Sequence, residues 1–141
     1  IGDDDQFGLS RVDVDRPGPC YSVDTIRLLQ EAWGEGTEIY FIIGADSLRD
    51  LPSWRQPQRL LRECHVVAVD RPGYPTDLDH IDDALPGAAR LIQRIEIPTI
   101  DISSTQIRKR VQQGWPIRYL VPDVVARYVA HHHLYADRHQ P

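Results

Sequence analysis

The run DISSTQIRKRV, Asp101 to Val111, sets two serines and a threonine ahead of a stretch with helical spacing and three basic residues. With Ser103 as N-cap, Gln106 falls at the third helical position, the S-x-x-Q spacing of a capping box. Backbone N–H groups at such a start lack intrahelical acceptors and carry partial positive charge, which suits phosphate. Ser103, Ser104 and Thr105 are small enough for close approach and bring hydroxyls. Arg108 lies four residues after Ser104. Helical side chains lean toward the N-terminus, so its guanidinium is expected to reach back and grip an anion bidentately. Ile107 and Val111 are expected to anchor the helix. The alternative is a well-capped surface helix with solvated Arg108, Lys109 and Arg110.

A second group lies in GADSLRDLPSW, Gly44 to Trp54. Gly44 and Asp46 follow an apolar strand pattern, at the edge where open α/β sheets bind ligands. The Asp46 carboxylate there can accept from a ribose diol, or N-cap the short helix that follows. Trp54 stands in a proline-bounded loop, placed either to stack on a heterocycle or to lie down on the core. In PCYSVDT, Ser22 is a candidate N-cap whose neighbouring amides suit a carboxylate or phosphate, although capping alone accounts for it. The histidines His131 to His133 fan out by about 100° each on a helix, which suits a solvated end better than a metal site. Asp3 to Asp5 reads as an exposed stretch. No Ser/His/Asp or Cys/His nucleophile arrangement, G-x-G-x-x-G or P-loop is present.

The elements that must position these groups alternate. Leu9–Asp15 reads as a weak strand, Arg16–Pro19 as a turn, and Ser22 to about Trp33 as a helix with Ile26, Leu29 and Trp33 on one face. Thr37–Gly44 is nearly continuously apolar, the pattern of a strand covered on both faces. A short helix at Asp46–Leu51, a helix at Gln58–Glu63, a strand at His65–Asp70 and a turn at Arg71–Pro75 follow. Asp77–Ile92 is expected to be partly helical and broken at Pro86 and Gly87, with a strand at Gln93–Pro98. A helix at Ser104–Gln113 should stop at Gly114. Pro122 should open the last helix, with Val125, Ala126 and Val129 inward. Strands alternating with helices predict an α/β fold with a parallel sheet and right-handed crossovers.

At 141 residues, 41% apolar and 26% charged, the sequence fits one globular domain. Its net charge of −5 argues against nucleic acid or an anionic membrane as partner, and no stretch is long and apolar enough to span a bilayer. Two cysteines, Cys20 and Cys64, suit a reduced, cytoplasmic protein. The absence of methionine reads as a truncated N-terminus.

Taken in order, RPGPCYSVDT, FIIGADSLRDLPSW, VAVDRPGYP, DISSTQIRKRV and YLVPDVVARYVAHHHLY resemble the bacterial nicotinate-nucleotide adenylyltransferase family, from about Asp5 to Tyr135. ISSTQIR marks the wider nucleotidyltransferase superfamily; GADSL paired with LPSW is more specific. The resemblance implies a Rossmann-like nucleotidyltransferase fold in one domain, with ATP and nicotinate mononucleotide as substrates, deamido-NAD and pyrophosphate as products, and Mg²⁺ bound through the ATP phosphates. It implies that Ser103, Ser104 and Arg108 hold the phosphates, with Arg108 catalytic. Gly44 and Asp46 would contact the ATP ribose and Trp54 would stack on the pyridine. Tyr21, Ser22, Thr25 and Arg55 would line the nicotinate mononucleotide site, with backbone amides near Ser22 and Arg55 on its carboxylate. Arg55 departs from the aromatic sometimes found beside this tryptophan. The family's glycine-rich first loop and H-x-G-H motif are not in this sequence. The chain by itself is therefore expected to show little adenylyl transfer, and to associate with itself or with a missing N-terminal segment. A relative using phosphopantetheine or CTP, a non-catalytic nucleotide-binding module and a plain interaction domain are the rival readings.

Overall fold

The computed structural model describes residues 4–34, 36–70, 77–98 and 100–136. They form two compact units, Ile1–Pro98 and Thr99–Pro141, each described by itself.

In the first unit a helix α1 (Ser22–Trp33) leads to strand β1 (Tyr40–Gly44), helix α2 (Ala45–Asp50), a 3₁₀ turn, helix α3 (Pro57–Glu63) and strand β2 (His65–Asp70). Helix α4 (Leu78–Ala84), a second 3₁₀ turn and strand β3 (Ile92–Glu96) complete it. The strands make a parallel sheet in the order β1-β2-β3, with Gly44 in register with Val69 and Asp70 with Glu96. The parallel α/β expectation therefore holds. The break expected within 77–92 falls between α4 and its 3₁₀ turn, where Gly87 takes a positive φ. The turn expected at Arg71–Pro75 and Asp3 lie outside the described residues.

The core shows which strand is sandwiched. Ile43, Val66, Ala68 and Ile92 pack with Val23 and Ile26 of α1, Leu48 of α2, Leu60 and Leu61 of α3, and Ile81 of α4. On β2, Val66, Val67 and Ala68 are all buried, so this strand is covered on both faces. Strand β1 is not: Tyr40 and Ile42 are 54% and 66% exposed. Its continuous apolar run predicted cover on both faces. Alternation sends Phe41 and Ile43 to the core and Tyr40 and Ile42 to the other face, where the Tyr40 ring stacks on its register partner His65 at 4.8 Å.

Three further expectations are corrected. Leu9–Asp15 is a turn rather than a strand: the Val14 and Asp15 amides both donate to the Arg11 carbonyl, and an Arg11–Asp15 ion pair closes it. In α1 the buried residues are Val23 and Ile26, while Trp33 is exposed. The helix meets α3 through Gln30, whose side chain donates to the Glu63 carbonyl at 2.8 Å, and Trp33, on the same side but at the last position of the helix, stands exposed. Ser22 is not the N-cap. Tyr21 is, because its carbonyl accepts from the Asp24 and Thr25 amides at 3.0 and 3.1 Å.

Asp70, at the carboxyl end of β2, is the one buried charged side chain among the described residues. It accepts from Nη2 and Nε of Arg94 on β3 at 2.5 and 3.1 Å. A desolvated carboxylate needs such partners, and this one ties two strands together at the sheet's carboxyl edge.

The second unit holds helices α5 (Ser104–Gln112) and α6 (Asp123–His131). Gly114 follows the Gln113 C-cap of α5 with φ +69°, the left-handed stop expected there. On α6 only Val129 is buried; Val125, expected inward, is 41% exposed. Among the described residues no helix is long and apolar enough to cross a membrane.

Candidate active site

In the second unit, the start of α5 has the capping box that its spacing predicts. The Gln106 amide donates to Ser103 Oγ at 3.2 Å and the Ser103 amide to Gln106 Oε1 at 3.3 Å. The box engages the N-cap and N3 amides. The Ser104 and Thr105 amides, at N1 and N2, have no acceptor within the helix. The Arg108 guanidinium leans back to this end, its Nη2 donating to Thr105 Oγ1 at 3.2 Å. All of these side chains are exposed, as is Arg108. Helix α5 buries none of its residues; Ile107 and Val111, expected as anchors, are half-buried. Arg110 faces elsewhere, donating to the Pro116 carbonyl at 3.0 Å with its guanidinium 5.5 Å from the Trp115 ring.

In the first unit, Gly44 ends β1 and stands as N-cap of α2. A Cβ built on Gly44 would meet nothing within 4 Å. The packing of the protein does not require glycine here, and the strand end is open to a closely approaching ligand. Asp46 is the second residue of α2 and makes no cap bond. Its side chain is 92% exposed, with Arg49 at 3.6 Å, so the capping role allowed by the sequence is not taken up.

Trp54 is half-buried against the core and meets Phe41 edge-on, ring centroids 6.2 Å apart. The next residue, Arg55, lays its guanidinium over the Tyr21 ring, 4.8 Å from the centroid. The PCYSVDT and LPSW segments, distant in sequence, are thus side by side. Thr25 lies one turn into α1, its hydroxyl 2.6 Å from Asp13 Oδ1. Sequence reasoning missed Asp13 and Arg16, treated only as parts of a strand and a turn. Arg16 Nη2 reaches Asp13 Oδ1 at 2.6 Å, Thr25 Oγ1 at 2.8 Å and the Tyr21 carbonyl at 3.3 Å.

A cavity of about 670 Å³ lies instead at the amino ends of the strands, lined by residues such as Ile39, Cys64, His65 and Ile92. None of the candidate residues lines it. Burial, with some help from the Glu63 charge, pushes the Cys64 thiol up to about 11, so it stays protonated at neutral pH and is no nucleophile. Among the described residues no three His, Cys, Asp or Glu side chains group as metal ligands. The histidines His131 and His132 are exposed and meet edge-on.

An open strand end followed by a short helix, at the carboxyl edge of a parallel sheet, marks the class of Rossmann-type nucleotide-binding proteins. Residues 3–110 match the cytidylyltransferase-like family. The chain is 47% identical over 131 residues to a probable nicotinate-nucleotide adenylyltransferase of Roseiflexus castenholzii, covering 92% of this chain and 64% of that protein. A probable nicotinate-nucleotide adenylyltransferase of Dehalococcoides mccartyi is 38% identical over 139 residues, covering 98% of this chain and 68% of its own. The fold is shared with the Plasmodium falciparum nicotinic acid mononucleotide adenylyltransferase complexed with APC, at TM-score 0.62 and 21% identity over 84% of this chain and 59% of that one. The chain belongs to the cytidylyltransferase-like family and, within it, to the nicotinate-nucleotide adenylyltransferases. It spans less than two thirds of the length of the first relative described, 64%.

Proposed function

We propose that the protein transfers the adenylyl group of ATP to nicotinate mononucleotide, giving deamido-NAD and pyrophosphate. The observation that carries this reading is the meeting of Tyr21 with Arg55 beside Trp54. It gathers an aromatic platform, a cation and the open start of α1 in one place, as a pyridine with a carboxylate requires. In this reading the Trp54 ring stacks on the pyridine. The open amides near Ser22, with Arg55, take the carboxylate. Gly44 and Asp46 receive the ATP ribose. The Ser104 and Thr105 amides, the hydroxyls of Ser103 and Ser104, and Arg108 hold the phosphates. A phosphate oxygen of the mononucleotide attacks the α-phosphorus in line as the bond to the β-phosphate oxygen breaks, and pyrophosphate leaves with the electron pair. No protein nucleophile enters, and catalysis rests on positioning and on neutralising phosphate charge. Mg²⁺ would arrive on the triphosphate, since among the described residues no carboxylate cluster is built to hold it, and would supply further charge neutralisation. Free Cys20 and Cys64 suit a reducing cytosol.

Calorimetry with nicotinate mononucleotide tests the acceptor site. Trp54→Ala is expected to weaken binding about 5–100-fold, the range of one lost stacking contact, and Trp54→Phe to restore most of it. Equal affinity in the wild type and Trp54→Ala would remove the stacking role. Tighter binding of phosphopantetheine than of nicotinate mononucleotide would move the chain to another acceptor.

Self-association is part of the same reading. Among the described residues β1 has β2 as its sole strand partner, and Tyr40 and Ile42 are exposed beside the free edge. An uncharged edge of this kind recruits further strands. Sedimentation is expected to show a mass that rises with concentration; a constant monomer mass up to about 100 μM, well into the range where exposed edges associate, would exclude it.

A further inference from the structure

We propose that Arg16, through a clasp with Asp13 and Thr25, is a positioning residue that sets the carboxylate preference of the acceptor site. The inference rests on the proposed nicotinate mononucleotide reading.

The clasp is built around one guanidinium nitrogen. Arg16 Nη2 donates to Asp13 Oδ1 at 2.6 Å, to Thr25 Oγ1 at 2.8 Å and toward the Tyr21 carbonyl at 3.3 Å. The Thr25 hydroxyl has a single proton to give. It points to Asp13 Oδ1 at 2.6 Å, with the Tyr21 carbonyl as a longer alternative at 3.2 Å. Cys20 Sγ adds a contact of 3.2 Å to the Asp13 carbonyl. The Arg16 side chain is only 18% exposed, so the group is partly shielded from water and its hydrogen bonds are charge-assisted.

What the clasp holds is the entry to α1. Tyr21 is the N-cap residue, but its side chain makes no cap bond. The Ser22 and Val23 amides are left without intrahelical acceptors. An uncapped first turn frays unless something else fixes it. Here the fixing group is Arg16: its Nη2 protons go to Asp13 and to Thr25, and Thr25 lies in the first turn of α1, so the preceding loop is tied to the helix start with the Tyr21 carbonyl 3.3 Å away. The Tyr21 ring, at the same helix start, lies beneath the Arg55 guanidinium. Amides held at a fixed angle favour a carboxylate, which accepts two parallel hydrogen bonds, over a carboxamide, which brings an N–H₂ group against donors. Loosened amides lose that discrimination first, because it is directional.

The test is calorimetry on the full chain with nicotinate mononucleotide, nicotinamide mononucleotide and ATP, alongside thermal unfolding. Arg16→Gln and Thr25→Val are each expected to lower the ratio of nicotinate to nicotinamide mononucleotide affinity about tenfold, one charge-assisted contact's worth, with ATP affinity within twofold. Thr25→Ser keeps the hydroxyl and is expected to restore the ratio. Arg16→Lys, a point charge without the fork, is expected to restore little. A general loss of structure would weaken all three ligands together, and that pattern in Thr25→Val, which is nearly isosteric, would overturn the inference. An unchanged ratio in both variants would overturn it as well, while leaving the acceptor assignment in place. A wild type that does not prefer the nicotinate ligand would instead remove the acceptor reading and the clasp's role with it.

Discussion

Arg108→Ala is expected to lower adenylyl transfer on the order of 10²–10³-fold, the range found when one preorganised donor to a developing oxyanion is removed. The proposed work of α5 is to neutralise phosphate charge. Its amides are backbone groups that no side-chain substitution deletes, and Arg108 is the cation that leans over them, 3.2 Å from Thr105 Oγ1. ATP affinity is expected to fall too, by about 10–100-fold, from loss of a charge-assisted contact of about 1.5–3 kcal/mol. That second measurement is informative even where the chain alone turns over slowly. The fold should hardly notice. Arg108 is exposed and α5 buries nothing, and surface substitutions of this kind stay within about 0.5 kcal/mol. A large functional loss with an unchanged melting temperature therefore separates a phosphate cradle from a merely well-capped surface helix. Lys109→Ala serves as the control, since the next residue points about 100° away. If Arg108→Ala and Lys109→Ala bind ATP equally well, the cradle reading fails.

The parts that sequence reasoning reached are those whose cause is local. The Ser103–Gln106 box, the Gly114 stop and the Pro86–Gly87 break each follow from residues within one turn of one another, and each is present. The parallel sheet was legible because alternation of apolar runs with helical spacing leaves few topologies. What stayed hidden depends on partners far along the chain. The free face of β1 could not be told from a covered one, because Ile42 is as apolar as Ile43 and Tyr40 carries a large apolar ring, and only the packing of the helices separates them. The Arg16 clasp could not be read either. An arginine in an RPGP turn looks solvated until Thr25, nine residues on, is folded back beside it. The site was half legible for the same reason. Segments were recognisable singly, but the contact of Tyr21 with Arg55 exists only once α1 and the Trp54 loop are packed on a common core.

Helix α2 shows how that core and the candidate site are kept apart, and it yields the largest stability effect. Residues two apart on a helix point about 200° from one another. Asp46 accordingly faces solvent with its side chain 92% exposed, while Leu48 is 1% exposed within the cluster that includes Leu51, Leu60 and Ile81. Leu48→Ala is expected to cost about 2–5 kcal/mol, the transfer of the lost methyl groups plus the cavity they leave. That is a large share of the roughly 5–15 kcal/mol that holds a domain of this size. Urea midpoints should fall by about 1–2.5 M with the slope unchanged, taking a mid-range slope of about 2 kcal/mol/M. Asp46→Ala should leave the midpoint within about 0.3 M, since nothing buried depends on it. The two substitutions then dissociate: the first loosens the support beneath the Gly44 turn, and the second leaves the fold whole and removes only the carboxylate proposed to meet the ribose. A Leu48→Ala midpoint matching that of Asp46→Ala would mean that α2 is not pinned by its leucine, and the strand end beside it would lose the rigid backing that a nucleotide site requires.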